Sequence, residues 1–443
     1  MTNRLTFQYV LTPGGIESNR TLVIDDAGAI AAIEPGRAPF DGFFALPGMP
    51  NAHSHAFQRA LAGFAEARRG EDSFWSWRTA MYALANRVTP DDMLILARQA
   101  FADMLRGGYT SVAEFHYLHG LPDGRQGAAM AEAVIQAAAD TGIRLTLLPV
   151  YYRTGGFEKS PQPEQQRFVH RSPESYLELL ERLRGKTVLG IAPHSLRAVP
   201  ADEIAQLVDS SRELLGPRCP IHIHISEQTG EVEECRERYG ASPIEWLSRH
   251  VDLDADWNLV HATHASDDER RLIRNVNANV VLCPLTEAYL GDGLFAVGDH
   301  LENGGRIAIG SDSNIRADAV EELRWLEFGQ RLRDRKRARL ATSAGLGAPL
   351  WQAAAKGGAA AAGGAGGAIA PGRPADLAVL GEDAPALAGH DDSTLLDALL
   401  IGGGRNDIES VYVAGRKRLA HGAILGLQDP RTAFDKAVRR LLQ

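Results

Sequence analysis

Short apolar runs alternate with amphipathic stretches through the middle of the chain, whereas at its two ends such runs follow one another without helical spacing between them. Eight runs read as strands of one series: residues 43–46, 109–116, 143–151, 187–195, 221–227, 258–264, 279–283 and 307–312. Strands that alternate with amphipathic helices make parallel βα units. One helix declares both of its ends. Thr89-Pro90-Asp91-Asp92 supplies an N-cap with proline in the first turn, and Gly107-Gly108 supplies the stop. Eight such units predict an α/β fold, a (β/α)8 barrel over residues 46–370.

The ends have a different character. Residues 5–11, 22–24 and 30–33 are strand candidates separated by the turn signals Pro13-Gly14-Gly15 and Asp25-Asp26-Ala27-Gly28. The same texture returns after Pro371-Gly372-Arg373-Pro374, at 376–380 and 408–413, followed by the turn Ala414-Gly415-Arg416. Residues 1–45 and 371–425 are therefore expected to build one small β domain together, with 426–443 as a C-terminal helix. The segment 357–370, nearly all Gly and Ala, reads as a frayed helix end or a linker and carries no chemistry.

Composition narrows the classes. A chain of 443 residues, 44% hydrophobic, supports a large barrel with an accessory domain. A net charge of −9, with no basic run beside exposed aromatics, argues against nucleic acid as a partner. The densest basic stretch, 331–339, fits the end of an exposed helix. The three cysteines, Cys219, Cys235 and Cys283, lack metal-site spacing and suit reduced thiols, and Cys283, inside Val280-Val281-Leu282-Cys283-Pro284, reads as a buried structural thiol. With no signal-peptide pattern and no apolar run near the roughly 20 residues of a membrane span, a cytoplasmic protein without a membrane partner is expected.

The chemistry sits at strand ends. Asn51-Ala52-His53-Ser54-His55 puts His53 and His55 on one face of an extended segment by the two-residue period. Alone, that pair is a weak sign of a metal. Further on, Ile221-His222-Ile223-His224 places two more histidines on one face, and Glu227 comes three residues after His224. Another apolar strand ends at His261 and His264, and Ile307-Ala308-Ile309-Gly310-Ser311-Asp312 ends in a carboxylate. Functional groups gathered at the C-terminal ends of parallel strands mark the working face of a barrel. His53, His55, His224 and Asp312 would hold one divalent metal. Imidazole with carboxylate suits zinc, with iron and manganese left open by ligand type. Glu227 is placed to carry a proton from water to a leaving nitrogen, and His261 to stabilise developing charge. His222 lies deeper in its strand and reads as a buried, hydrogen-bonded histidine; His264 stands one step outside the cluster.

These residues resemble the amidohydrolase superfamily, whose pattern is His-x-His on the first barrel strand, His on the fifth and sixth, and Asp on the eighth, beside a small β-sandwich made from both termini. The resemblance covers essentially the whole chain. Members with two metals bridge them by a carboxylated lysine on the fourth strand; Lys186 lies at the wrong, N-terminal end of 187–195, so the resemblance implies a mononuclear site. Glu three residues after the fifth-strand histidine marks the deaminase branch. A finer set of segments is similar to the branch that hydrolyses N-formimino-L-glutamate to N-formyl-L-glutamate and ammonia in histidine degradation: Gly48-Met49-Pro50-Asn51, Ala56-Phe57-Gln58-Arg59-Ala60, Phe74-Trp75-Ser76-Trp77-Arg78, Glu114-Phe115-His116-Tyr117 and Ala192-Pro193-His194-Ser195-Leu196-Arg197-Ala198-Val199. It implies that Arg78 and Arg197 grip the substrate's two carboxylates while Gln58, Tyr117 and His194 complete the pocket. It also implies Glu227, His261 and Asp312 as the catalytic groups of a homodimeric enzyme. An acidic protein needs local guanidinium forks to recruit a dianion. The alternatives are a deaminase of an aminated heterocycle, such as guanine or a nucleoside derivative, and a catalytically silent metal-binding scaffold. The former expects fewer arginines around the pocket; the latter has no use for Glu227 and His261. Asn314 stands where relatives carry histidine, and its role is open.

Overall fold

The barrel strands, in chain order, are Met49–Ser54, Tyr109–His116, Arg144–Tyr151, a fourth broken into Val188–Leu189 and Ala192–Pro193, then Ile221–Ile225, Trp257–His261, Asn279–Leu282 and Arg306–Ile309. This computed structural model describes residues 3–64, 66 and 74–442, and of residues 74–76 the backbone. Neighbouring strands pair in parallel in two arcs, one from the first strand to the fourth and one from the fifth to the eighth. The arcs close through parallel bridges: Ile191 to Ile221 and Ser195 to His224 at one seam, Ser54 to Asp312 at the other. At the second seam His55 N–H donates to Asp312 O at 2.8 Å and Asp312 N–H donates to His53 O at 2.9 Å. Gly310 permits that approach, because a Cβ there would lie 2.7 Å from His53 Cβ and 2.9 Å from its backbone nitrogen. The strands that complete the barrel thus carry the residues expected to hold a metal.

Helices cover the outside. The helix Pro90–Arg106 begins and ends where its signals require: Asp92 N–H donates to Thr89 Oγ1 at 3.2 Å, Thr89 N–H returns the bond to Asp92 Oδ2 at 3.0 Å, and Gly107 follows the last turn. With helices outside and side chains filling the interior, Tyr109–His116 is buried along its whole length.

The apolar run at 43–46 does not open the barrel. It belongs to Gly42–Pro47, which pairs in parallel with Asn3–Thr12 and antiparallel with Leu377–Leu380. The true first strand, Met49–Ser54, hides from pattern reading: Pro50 offers no N–H, no residue is β-branched, and its pairing with Tyr109–His116 is irregular at two points. Strands from both ends of the chain meet in one eight-stranded sheet, ordered Ala423–Ile424, Arg416–Ala420, Ile408–Val413, Leu377–Leu380, Gly42–Pro47, Asn3–Thr12, Gly15–Ile24 and Ile30–Pro35. Phe7, Val10, Leu22, Ala45, Val379 and Tyr412 belong to an apolar cluster of its own. The helix Arg431–Leu442 lies near Pro90–Arg106, tied by a 2.8 Å bond from Arg87 Nη1 to Leu441 O.

The Gly/Ala segment does begin as a helix end, but a packed one. Its first part completes the helix Gly347–Ala361, packed on the first and eighth barrel strands, and its glycines are there for closeness. A Cβ on Gly357 would sit 1.9 Å from the carbonyl oxygen of Ile307. The last helical carbonyl, Ala361 O, accepts a 2.9 Å bond from His222 Nε2, so His222 is the buried structural histidine its depth suggests. Gly357→Ala should therefore destabilise the fold, although alanine favours helix by about 1 kcal/mol over glycine. Overpacking against backbone costs roughly 1–3 kcal/mol and the neighbour cannot rotate away. Thermal unfolding should show a lowered Tm; a raised one would refute the close-packing account.

Basic residues of 331–339 are engaged locally at the end of Ala319–Asp334, with Arg331 on Glu327 at 2.5 Å and both Arg333 and Arg339 on Asp334. No helix among the described residues is long and apolar enough to cross a membrane.

Candidate active site

His53, His55 and His224 converge at the C-terminal ends of the first and fifth strands. His53 Nε2 lies 3.0 Å from His224 Nε2 and 3.2 Å from His55 Nε2. The outer nitrogens settle the tautomers, since a carbonyl can only accept: His55 Nδ1–H donates to Phe115 O at 3.0 Å and His224 Nδ1–H to His194 O at 3.1 Å. Both rings therefore turn bare Nε2 lone pairs inward, and His53 can satisfy one of them at most. Asp312 adds an oxygen 3.3 Å from His55 Nε2 and 3.7 Å from His53 Nε2. Burial, with the neighbouring imidazoles next, holds His53 and His224 well below the usual histidine range, and burial takes His55 down to about 3, so all three are neutral donors. Burial likewise lifts the Asp312 carboxyl to about 7; His261 opposes the rise, and the charges of Glu227 and Glu287 add to it. Lone pairs facing lone pairs beside a buried carboxylate fit a divalent cation, and the three-nitrogen, one-oxygen donor set suits zinc.

The backbone at these strand ends is strained. Ser226, His261, Asp312 and Asn314 have φ of 51°, 68°, 44° and 55°, a region that costs a non-glycine residue about 1–3 kcal/mol. A buried chain of hydrogen bonds holds the turns in place. Asn51 Nδ2 donates to Ser311 Oγ, Ser311 donates to Asn314 Oδ1, and Asn314 Nδ2 donates to Ser54 Oγ at 3.0 Å and to Asp312 O at 3.1 Å. Ser54 in turn donates to Glu114, which also accepts Ala56 N–H, each at 2.6 Å. Asn314 therefore braces the loops that carry His55 and Asp312 and does not line the pocket.

Proton-handling groups stand beside the cluster. His261 Nε2 is 3.7 Å from Asp312 Oδ2 and 4.0 Å from Glu227 Oε1, while its Nδ1 meets Glu287 Oε1 at 3.2 Å. Burial pulls the imidazole down, but the Glu287 hydrogen bond and the charges of Glu227, Asp312 and Glu287 outweigh it and hold it up at about 10. Pattern reading missed Glu287; the signal available was an acid in the helix Pro284–Leu290 that follows the seventh strand. Cys283 is buried beside His261 and Asp312, and burial together with the nearby carboxylates keeps its thiol protonated.

Gln58, Arg78, Tyr117, His194 and Arg197 line one pocket with His55, His224, Glu227, His261 and Asp312. Gln58 Nε2 donates to Tyr117 Oη at 2.5 Å. Arg78 donates from Nε to Tyr82 Oη, and its guanidinium carbon lies 5.1 Å from the centre of that ring. Of the segment 74–78, the side chains of Phe74, Trp75 and Ser76 lie outside the described residues. Arg197 Nη2 donates to Glu227 Oε2 at 3.0 Å, and its Nε is 3.8 Å from Glu231 Oε2, which accepts Glu227 N–H at 3.1 Å. Glu231, fully buried on the helix Thr229–Tyr239, and Lys159, at the pocket wall, also escaped pattern reading. His264 lies outside the lining.

The amidohydrolase family model matches residues 44–417. The chain belongs to the amidohydrolase family. It is 44% identical over 450 residues to the formimidoylglutamate deiminase of Pseudomonas aeruginosa, covering 98% of each chain. Among solved structures, an amidohydrolase from Brucella melitensis superposes with a TM-score of 0.92 at 40% identity over 100% of each chain. An adenosine deaminase from Xanthomonas campestris, with bound zinc, superposes at 0.79 and 22% identity over 99% and 97% of the two chains, a likeness of fold. Amidohydrolases are metal-dependent hydrolases, in keeping with a buried donor cluster at the barrel mouth. At the fourth strand, where two-metal amidohydrolases bring a bridging lysine, this chain has His194 at the pocket, and Lys186 sits at the opposite end on Glu132 at 2.5 Å.

Proposed function

We propose that this amidohydrolase hydrolyses N-formimino-L-glutamate to N-formyl-L-glutamate and ammonia, a step of histidine degradation, with one zinc ion per chain. The observation that carries the reading is the convergence of two arginines, Arg78 and Arg197, on the pocket that also holds the metal-binding cluster. A substrate with two carboxylates and an amidine matches that pairing of charges with a hydrolytic centre. The likeness to the Pseudomonas aeruginosa formimidoylglutamate deiminase across nearly the whole chain supports the same substrate.

His53, His55, His224 and Asp312 would hold the metal, which when bound supplies Lewis acidity and makes a water nucleophile available near neutral pH. Glu227 receives a proton as water adds to the formimino carbon and passes it to the terminal nitrogen; it then moves the adduct's hydroxyl proton to the same nitrogen, the C–N bond breaks, ammonia leaves and the carbonyl of the formyl group forms. His261, fixed by Glu287 at 3.2 Å, turns its Nε2 toward the charge that builds up at the attacked carbon. Arg78 and Arg197 take the carboxylates, and the Gln58–Tyr117 pair with His194 bounds the space between. The same reading carries a cytoplasmic homodimer.

Ammonia release from N-formimino-L-glutamate, formiminoglycine and guanine tests the substrate. The dicarboxylate should be preferred by at least about a hundredfold, given roughly 2–5 kcal/mol for a buried carboxylate–guanidinium grip. Preference for guanine would replace the reading with the heterocycle alternative. Elemental analysis of the purified protein should find one equivalent of zinc per chain; a reproducible two equivalents within the site would refute the mononuclear assignment.

A further inference from the structure

We infer that Arg197 is a brake on Glu227 that the substrate's own carboxylate releases, so that turnover as well as binding depends on that carboxylate. The inference rests on the proposed formiminoglutamate reading. Arg197 donates from Nη2 to Glu227 Oε2 at 3.0 Å, and both side chains are buried to nine-tenths or nearly so. The bond engages one of the two oxygens with which Glu227 must take a proton from water.

The surroundings let the guanidinium change allegiance. Arg197 leaves the turn after the fourth strand, whereas Glu227 and Glu231 come from the turn after the fifth strand and the helix behind it, so moving Arg197 does not drag the acid. Glu231, fully buried, fixes the backbone of Glu227 by accepting its N–H at 3.1 Å and lies 3.8 Å from Arg197 Nε. Glu227 stays in place when Arg197 lets go. Nη2 belongs to both two-bond faces of a guanidinium, the Nη1–Nη2 edge and the Nε–Nη2 edge. Nη2 carries one N–H on each edge, so a substrate carboxylate that takes the edge Glu227 now uses competes directly with it for that N–H. An amidine without a carboxylate enters the same pocket and meets Glu227 still tied.

Formamidine, the formimino group without a carboxylate, isolates the effect when glutarate is added as a separate piece. With the metal-loaded enzyme, ammonia release from formamidine should rise saturably, at least about tenfold, as glutarate is added. Arg197→Met should turn over formamidine faster than the parent without glutarate and should not respond to it, while losing formiminoglutamate hydrolysis. A merely structural role for Arg197 would lower both activities together. Arg197→Gln supplies the same comparison where the Met variant folds poorly. Absence of a glutarate response in the parent, or formamidine turnover in the variants no faster than in the parent, would overturn the brake while parental formiminoglutamate hydrolysis keeps the functional reading. A parent that leaves formiminoglutamate untouched would overturn both.

Discussion

Glu227→Gln is expected to keep the metal and lose most turnover, by about two to four orders of magnitude, the range a positioned proton carrier contributes. The amide has the shape of the acid, and its oxygen still accepts from Arg197, which now donates to Glu227 Oε2 at 3.0 Å. It cannot take a proton from water and return it to the leaving nitrogen. Metal content should be untouched, because the cation would be held by His53, His55, His224 and Asp312, whose positions depend on the strand ends and on the Asn51–Ser311–Asn314–Ser54–Glu114 chain. Elemental analysis beside steady-state ammonia release separates the two quantities. Near-parental release from a fully metallated variant would remove Glu227 from the proton path.

What pattern reading recovers here is what the chain encodes locally. A histidine pair two residues apart must share a face wherever the segment is extended, so His53 with His55 is legible without knowing what they face. Strand ends are legible for the same reason: an apolar run that stops at a polar residue marks the barrel mouth, which is how His224, His261 and Asp312 come out of the sequence together. The first strand was misplaced because Met49–Ser54 has a proline and no β-branched residue, while Gly42–Pro47, in the terminal sheet, has the apolar look of a barrel strand. Glu287 and Glu231 were invisible because their meaning lies in the third dimension, where one holds the far nitrogen of His261 and the other the backbone of Glu227. The role of Gly357 is hidden for a related reason: a missing side chain matters through Ile307, some fifty residues away along the chain.

Arg197→Met should cut kcat/KM for N-formimino-L-glutamate by at least about a hundredfold, and Arg78→Met should also cost activity, but by a different route. Truncating one partner of a desolvated carboxylate–guanidinium pair costs roughly 2–5 kcal/mol, partly because the other charge is left buried, and a hundredfold corresponds to about 2.7 kcal/mol. The surroundings of the two arginines differ. Arg78 is oriented by Tyr82, through a hydrogen bond to its hydroxyl and stacking at 5.1 Å, and Tyr82 is itself held by Gln165 at 3.1 Å. Losing Arg78 removes grip from a face that performs no chemistry, so the loss should fall mainly on KM. Arg197 also ties Glu227, so its loss removes grip and frees the acid together, and the fall should lie in KM while kcat is kept or raised. Fold and metal should survive both changes, because neither residue belongs to the donor cluster. Steady-state kinetics on the two variants, with metal content measured alongside, give the split between KM and kcat. If both retained formiminoglutamate hydrolysis within a few-fold of the parent, the carboxylate reading would fall, and a neutral heterocycle, indifferent to either arginine, would be the substrate that fits.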